Sequence, residues 1–215
     1  MPDIRVLLVD DHALIRQGLR ALLDREPGID VIGEAGSVVS AVAAIELRRP
    51  DVVLLDVRLS AHCDAEGLDL CGQIRNRYPL TSVLVLTTFV DDWLVLEAIK
   101  QGAKGYFLKD VSIVELVRAI RAVHRGESAF DSHSAGVMVR SLHNKNGSDN
   151  GVQQITPRER EVLALAARGM SNIGIGQRLY ISEATVKFHI ANVMRKLNAA
   201  RRTEAVYAAT KIGLI

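Results

Sequence analysis

Only two cysteines, Cys63 and Cys71, occur in 215 residues. A disulfide framework and a four-cysteine zinc site are both excluded. Two reduced thiols are the plain reading; a redox pair near a loop is the other. No apolar run reaches the ~18 residues needed to span a bilayer, so no membrane partner is expected. The first residues, Met1-Pro2-Asp3-Ile4-Arg5, lack the basic start and long apolar stretch of a signal peptide. A cytoplasmic protein is the expectation. The charged fraction of 24% and apolar fraction of 48% describe an ordinary globular chain, neither disordered nor fibrous.

Nor is there a large excess of charge: the formal net value is +2. It hides an asymmetry. Residues 1–152 carry 17 Lys/Arg against 21 Asp/Glu, a net −4, and residues 153–215 carry 10 against 4, a net +6. A small basic segment behind an acidic one points to a polyanion as the partner of the tail.

What is present is a regular alternation. Short apolar runs lie at Ile4–Val9, Val52–Leu55, Val83–Leu86 and Gly105–Leu108, with a weaker candidate at Val31-Ile32. Helix-like segments lie near His12–Asp24, Val38–Arg48, Leu68–Arg77, Trp93–Lys100 and Ile113–Val123. Alternating strands and helices imply parallel βαβ units and a sheet covered on both faces. Five such units make a doubly wound α/β domain over residues 1–125. Ser112 and Glu115 form a capping signature for its last helix. Residues 126–140 read as a connecting helix, and the polar stretch SLHNKNGSDNGVQQ at 141–154 reads as a flexible linker.

The last 61 residues, 155–215, read as all-helical. Thr156, Pro157 and Glu159 supply an N-cap, a first-turn proline and a capping-box partner. Further helices begin near Asn172, after Ser182 and after Thr203. The second and third, joined by a tight turn, have the helix-turn-helix pattern.

In an open parallel sheet, ligands bind beyond the carboxyl ends of the strands. Asp10 and Asp11 follow the first strand, Asp56 the third, Thr87 ends the fourth and Lys109 follows the fifth. Three converging carboxylates repel one another unless a hard cation with oxygen ligands, such as Mg²⁺, lies among them. A lysine and a hydroxyl beside them suit a tetrahedral oxyanion such as phosphate. Asp56 is the candidate nucleophile for an acyl phosphate. Lys109 would neutralise charge on the transferring group, and Thr87 would donate a hydrogen bond to it. Singly, each residue has a plainer reading as a turn, cap or solvated group; the ordered set, each member at a strand end, favours the pocket.

The motifs LVDDH at 8–12, VVLLDVR at 52–58, VLVLTT at 83–88 and GAKGYFLKD at 102–110 resemble the receiver domain of response regulators. The resemblance implies a flavodoxin-like, five-stranded sheet with Asp56 as phosphoacceptor. It implies Mg²⁺ held by Asp10, Asp11, Asp56 and the backbone carbonyl of Arg58. Thr87 and Tyr106 match the switch pair: on phosphorylation Thr87 would approach the phosphoryl group and Tyr106 would turn inward. Two departures stand out. The usual Met-Pro after the aspartate is missing, and Gly67 comes three positions late, so the intervening loop, with Cys63 in it, is longer. Asp110 follows Lys109 where many receivers have proline.

In the third tail helix Val186, Ile190, Val193 and Leu197 share one face and must point to the core. Phe188 and Arg195 lie almost opposite, flanked by Thr185, Lys187, Ala191 and Asn192. An outward aromatic suits either a second packing surface or a recognition helix in the major groove. In the groove, Phe188 would touch thymine methyls and Asn192 a base edge, while Lys187, His189, Arg195 and Lys196 would contact phosphates. ITPREREVLALAARGMSN, ISEATVKFHIANVMRKL and RRTEAV resemble the LuxR-type helix-turn-helix. Gly174 and Gly176 depart from it, standing where its members usually carry Glu and Ala.

The whole chain is thus similar to NarL/FixJ-type response regulators, non-enzymatic transcriptional regulators. The resemblance implies DNA and a sensor histidine kinase as partners. It also implies an active homodimer on half-sites about one DNA turn apart, and RNA polymerase as a further contact. Three rivals stand beside it: a Mg²⁺-dependent phosphatase using Asp56, a regulator that binds DNA without phosphorylation, and a redox switch on Cys63 and Cys71.

Overall fold

A computed structural model describes residues 2–59, 66–88, 92–146, 155–179, 181 and 183–215, with backbone alone at 142–146, 157 and 184. The lengthened loop with Cys63, residues 147–154 of the expected linker, and Tyr180 and Ser182 lie outside the described residues. The chain forms two compact units, one running to about residue 147 and the other to Ile215.

The first unit alternates β1 (Ile4–Val9), α1 (Ala13–Leu23), β2 (Ile29–Ala35), α2 (Val38–Arg48), β3 (Val52–Leu55), α3 (Glu66–Arg77), β4 (Ser82–Thr87), α4 (Asp92–Gln101), β5 (Gly105–Leu108) and α5 (Ile113–His124). Then come β6 (Ala129–Phe130) and α6 (Ser132–Asn146). The strands pair in parallel in the order β2-β1-β3-β4-β5-β6. The apolar runs are continuous because both faces are buried. Leu7, Val9, Val53, Leu55, Val83 and Val85 face one core; Val6, Leu8, Val52, Leu54, Leu84 and Leu86 face the other. The sheet order reverses at β1, so a crevice opens beyond the carboxyl ends of β1 and β3.

Two expectations change. The sheet has six strands, not five. Ala129 N–H donates to the Lys104 carbonyl at 2.9 Å and Asp131 N–H to the Tyr106 carbonyl at 3.2 Å, which lays β6 along β5. Gly105 permits this approach: a Cβ there would sit 2.4 Å from the Ala129 carbonyl oxygen. A two-residue strand has no periodicity to read. The weak Val31-Ile32 candidate becomes the seven-residue β2, whose burial alternates along its length as on a sheet edge. The second change concerns residues 141–146, expected in the linker. They extend α6; residues 141–146 contain neither glycine nor proline to break it. At α5, the Ser112 hydroxyl accepts from Glu115 N–H at 3.3 Å, as the cap requires, but the Glu115 carboxylate accepts from that hydroxyl rather than from the backbone.

The second unit holds α7 (Pro157–Ala167), α8 (Asn172–Leu179), α9 (Glu183–Lys196) and α10 (Arg202–Lys211). The capping box forms: Glu159 N–H donates to Thr156 Oγ1 at 3.2 Å, and Thr156 N–H to the Glu159 carboxylate at 2.8 Å. Val162, Ile175, Val186 and Ile190 build the core where α7, α8 and α9 meet. Arg202 ties α10 to the start of α8 through the Asn172 side chain at 2.8 Å and the Met170 carbonyl at 2.5 Å.

At Gly174, only half a box exists. Its N–H donates to Ser171 Oγ at 3.1 Å, but glycine returns nothing to the backbone. A Cβ at 174 would meet only ordinary contacts, Ser171 Oγ at 3.4 Å and Met170 Cε at 3.5 Å. Space does not require glycine here. Gly174→Ala should therefore stabilise the second unit by about 1 kcal/mol through helix propensity, seen as a higher urea midpoint. A lower midpoint would mean the position needs glycine.

Candidate functional site

The strand ends bring the expected pocket residues together. Asp10 N–H donates to the Ala35 carbonyl at 3.1 Å, Asp56 N–H to the Val9 carbonyl at 2.8 Å and Lys109 N–H to the Thr87 carbonyl at 2.8 Å. These bonds fix the first residue beyond β1, β3 and β5 against the neighbouring strand. Asp10 and Asp56 are buried, 4% and 3% exposed. Lys109 Nζ lies 2.6 Å from Asp10 Oδ2 and 2.5 Å from Asp56 Oδ2. Asp10 Oδ1 also accepts from His12 N–H at 2.9 Å, and Arg58 N–H approaches Asp56 Oδ1 at 3.4 Å.

Burial pushes the Asp56 carboxyl above its ordinary value; Lys109 opposes the rise and the neighbouring Asp10 charge adds to it. Burial alone would lower Lys109, but its bonds to Asp10 and Asp56 outweigh that and the ammonium is held charged, its pKa raised. A carboxyl whose folded pKa lies above its unfolded value holds its proton more tightly when folded. Its ionisation opposes folding fully above the folded pKa, and the penalty disappears as pH falls to the unfolded value. In the presence of a chelator, Asp56→Asn should thus be more stable than the wild type at pH 7. The gap should close as pH falls toward 3.8, the ordinary value for this carboxyl. Thermal denaturation over a pH series measures it; an Asn variant less stable than the wild type at pH 7 would contradict it.

Ligand atoms of Asp10, Asp11, His12 and Asp56 all lie within 4.8 Å of one another. Three carboxylates in that space form a hard oxygen donor set that fits Mg²⁺. His12 was not singled out from the sequence. Its Nδ1 lies 2.7 Å from Asp11 Oδ1 and 3.4 Å from Asp10 Oδ1, and its only sequence signal was adjacency to the aspartate pair. Arg16 was also missed: its guanidinium donates to the Asp10 carbonyl at 2.5 Å, one helical turn beyond His12. Thr87 and Tyr106 are both fully buried. The Tyr106 side chain shares a core cluster with Val85, Leu94, Val95, Ala98 and Val137. This burial corresponds to the inward placement that the resemblance assigned to Tyr106.

Cys71 is fully buried on α3, and burial pushes its thiol up to about 12 against the opposing pull of Arg75. A thiol so rarely ionised is a poor redox partner.

On α9 the apolar face is as expected: Val186, Ile190 and Val193 are buried. Lys187 and Arg195 are exposed, Phe188 and Asn192 half-buried. Three of the expected DNA contacts lie on a covered flank of the helix. Thr185 and His189 are buried, 8% and 2% exposed, and Lys196 pairs with the buried Glu159 carboxylate at 2.5 Å. Thr185, His189 and Lys196 stand at i, i+4 and i+11, on one flank of the helix. The Lys196–Glu159 pair shows that flank turned toward α7. A helical wheel cannot tell which flank a neighbouring helix will cover.

Comparison with known proteins agrees with both halves of this geometry. The model of the response regulator receiver domain matches residues 6–121, and that of bacterial regulatory proteins of the luxR family matches residues 153–209. The DNA-binding transcriptional activator DevR/DosR of Mycobacterium tuberculosis is 39% identical over 209 residues, covering 97% of this chain and 95% of that protein. The transcriptional regulatory protein LiaR of Bacillus subtilis is 40% identical over 207 residues, covering 95% and 96%. The crystal structure of ChrA, a response regulator of a heme-sensing two-component system, superposes with a TM-score of 0.56 at 32% identity over 100% of both chains. With an acidic strand-end pocket in one unit and a helix-turn-helix in the other, the chain belongs to the two-component response regulators that join a receiver domain to a LuxR-type DNA-binding domain.

Proposed function

We propose that Asp56 accepts a phosphoryl group from a sensor histidine kinase or a small phosphodonor, and that this controls sequence-specific DNA binding by the second unit. The observation that supports it most is Lys109 Nζ held within 2.6 Å of both Asp10 and Asp56. An Asp56 carboxylate oxygen attacks phosphorus, the bond to the leaving group breaks with its electron pair, and an aspartyl phosphate results. Mg²⁺, when bound by Asp10, Asp11, Asp56 and the Arg58 carbonyl, would neutralise charge on the transferring group. Lys109, released from Asp56 by its phosphorylation, is placed to pair with the new phosphoryl oxygens. Thr87, at the end of β4, supplies a hydroxyl.

On α9, Phe188 and Asn192 form the base-reading group, and Lys187 and Arg195 the phosphate contacts. A homodimer would present two such helices to half-sites one DNA turn apart. RNA polymerase is the further partner that transcriptional control calls for. The altered sequence after Asp56, which lacks the usual Met-Pro and brings Gly67 three positions late, favours a second reading, DNA binding that does not wait for phosphorylation.

DNA binding to the protein's own upstream region, with and without acetyl phosphate and Mg²⁺, decides between them. Tightening by phosphodonor in the wild type but not in Asp56→Asn supports the phosphorylation switch. Equal binding under all conditions supports the second reading. If neither protein binds that region, genome-selected fragments take its place in the same four-way comparison.

A further inference from the structure

Residues 126–146 were expected only to connect the two domains, but they close an edge of the receiver. Asp131 sits at the join. One carboxylate oxygen, Oδ1, accepts from Ser134 N–H at 2.7 Å and caps α6. The other, Oδ2, accepts from Leu108 N–H on β5 at 3.2 Å. The Asp131 N–H donates to the Tyr106 carbonyl at 3.2 Å. Thus one residue holds the start of α6 to both ends of the Tyr106–Leu108 segment, directly before Lys109. Farther along α6, Val137 is buried in the core cluster that holds Tyr106, Leu94 and Val95. Ser134, about one helical turn before it, is fully buried. On the outer side, Asp92 of α4 pairs with His133 at 3.4 Å and with Arg140 at 3.1 Å.

We infer that Asp131 is a positioning residue through which docking of α6 on the β5 edge is coupled to occupancy of the Asp56 pocket. The inference rests on the reading of Asp56 as phosphoacceptor. The physical route is short. Lys109 must re-aim from Asp56 to a phosphoryl oxygen, and Tyr106 must remain inward. Both belong to the strand end that Asp131 clamps, and α6 closes over the cluster that receives the Tyr106 ring. An inward Tyr106 and a docked α6 occur together in this structure, so a phosphoryl group that favours the first stabilises the second. By linkage, undocking α6 must weaken phosphoryl-analogue binding by the same factor. α6 is the last described element before the DNA-binding unit in the chain, so its docking is a means by which the pocket acts on the side from which that unit follows.

The test uses the full chain with Mg²⁺ and beryllofluoride as the phosphoryl analogue. Hydrogen exchange should show the amides of residues 132–141 slowed about fivefold or more when the analogue is added. Beryllofluoride affinity, read from the fluorescence of Trp93 on α4, should fall about fivefold in Asp131→Asn, because a single amide oxygen can serve only one of the two bonds. Asn is itself a good N-cap, so a loss of affinity in a folded, helical variant separates coupling from mere helix stability. A residue that only holds the fold would move the melting temperature and leave the affinity of the folded protein unchanged.

Protection of residues 56–59 by the analogue with no change in α6, or faster exchange in α6, would overturn the coupling and leave the Asp56 reading intact. So would an unchanged affinity in Asp131→Asn. If the analogue protects neither region in the wild type, the Asp56 reading fails and the coupling falls with it. The exchange comparison needs no variant, so a misfolded Asp131→Asn would not remove the test.

Discussion

Lys196→Ala is expected to destabilise the DNA-binding unit by about 3–5 kcal/mol, the usual consequence of leaving one partner of a buried ion pair behind. The Lys196 and Glu159 side chains are 13% and 4% exposed, with 2.5 Å between Nζ and Oε2. Glu159 also receives the Thr156 N–H in the capping box, so the charge stranded by the substitution sits where α7 begins. Lys196→Met keeps the aliphatic stem and separates the loss of charge from the loss of packing; it should recover only part of the stability.

DNA binding, measured on the folded fraction below the melting temperature, should keep its wild-type salt dependence in both variants. The salt slope counts phosphate contacts, and this lysine makes none if it is held by Glu159. Arg195→Ala, on the exposed side of α9, should show the opposite pair of effects: little change in stability, and a slope lower by about one. Urea titration and binding isotherms at several salt concentrations test both. A stability loss below about 1 kcal/mol together with a reduced slope would return Lys196 to the DNA-facing surface.

Gly67→Ala should cripple the phosphoryl pocket although residue 67 bears no functional group. Gly67 is buried in the first turn of α3 and its N–H donates to the Val57 carbonyl at 3.0 Å. A Cβ at 67 would lie 2.3 Å from the carbonyl oxygen of Asp56 and 2.6 Å from that of Val57. Neither atom is the tip of a flexible side chain, so the backbone that carries Asp56 must shift by roughly an ångström. Overpacking of this kind costs about 1–3 kcal/mol, sometimes more. A misplacement of about 1 Å at a reacting group can cost on the order of a hundredfold in rate.

The expected result is a lower melting temperature and phosphorylation by acetyl phosphate slowed roughly a hundredfold. Gly72→Ala on the same helix is the control. Its Cβ would meet the Gln101 Oε1 at 2.4 Å, a side-chain end that can rotate away, so phosphorylation should stay near wild type. Equal phosphorylation rates in the two variants would show that Asp56 tolerates the displacement. The close approach accounts for the glycine at this position: it comes late in the sequence, yet Gly67 still packs against the aspartate backbone.

The pocket was legible because every member lies at or just beyond the end of a strand, and a parallel sheet gathers the carboxyl ends of its strands on one rim. Asp10, Asp56 and Lys109 needed only the alternation of elements to be brought together. Arg16 was not legible, because its guanidinium folds back from α1 onto the Asp10 carbonyl and nothing in the spacing marks that turn. The caps at Ser112 and Thr156 and the apolar face of α9 were legible for the same local reason: hydroxyl, proline and apolar positions act within one or two helical turns.

By itself the sequence determined two domains, a parallel sheet with an acidic rim, and a basic helix-turn-helix. Periodicity, capping and charge are properties of neighbouring residues, and they survive without the rest of the fold. Only the tertiary structure decided that Ala129–Phe130 adds a sixth strand, that α6 belongs to the receiver, and that Thr185, His189 and Lys196 turn inward. Each depends on a partner distant in sequence: the Lys104 carbonyl for Ala129, the Leu108 amide for Asp131, and Glu159 for Lys196. Which flank of a helix is covered, and whether a short segment pairs with a sheet edge, is settled by what packs against it, and one-dimensional patterns carry no record of that.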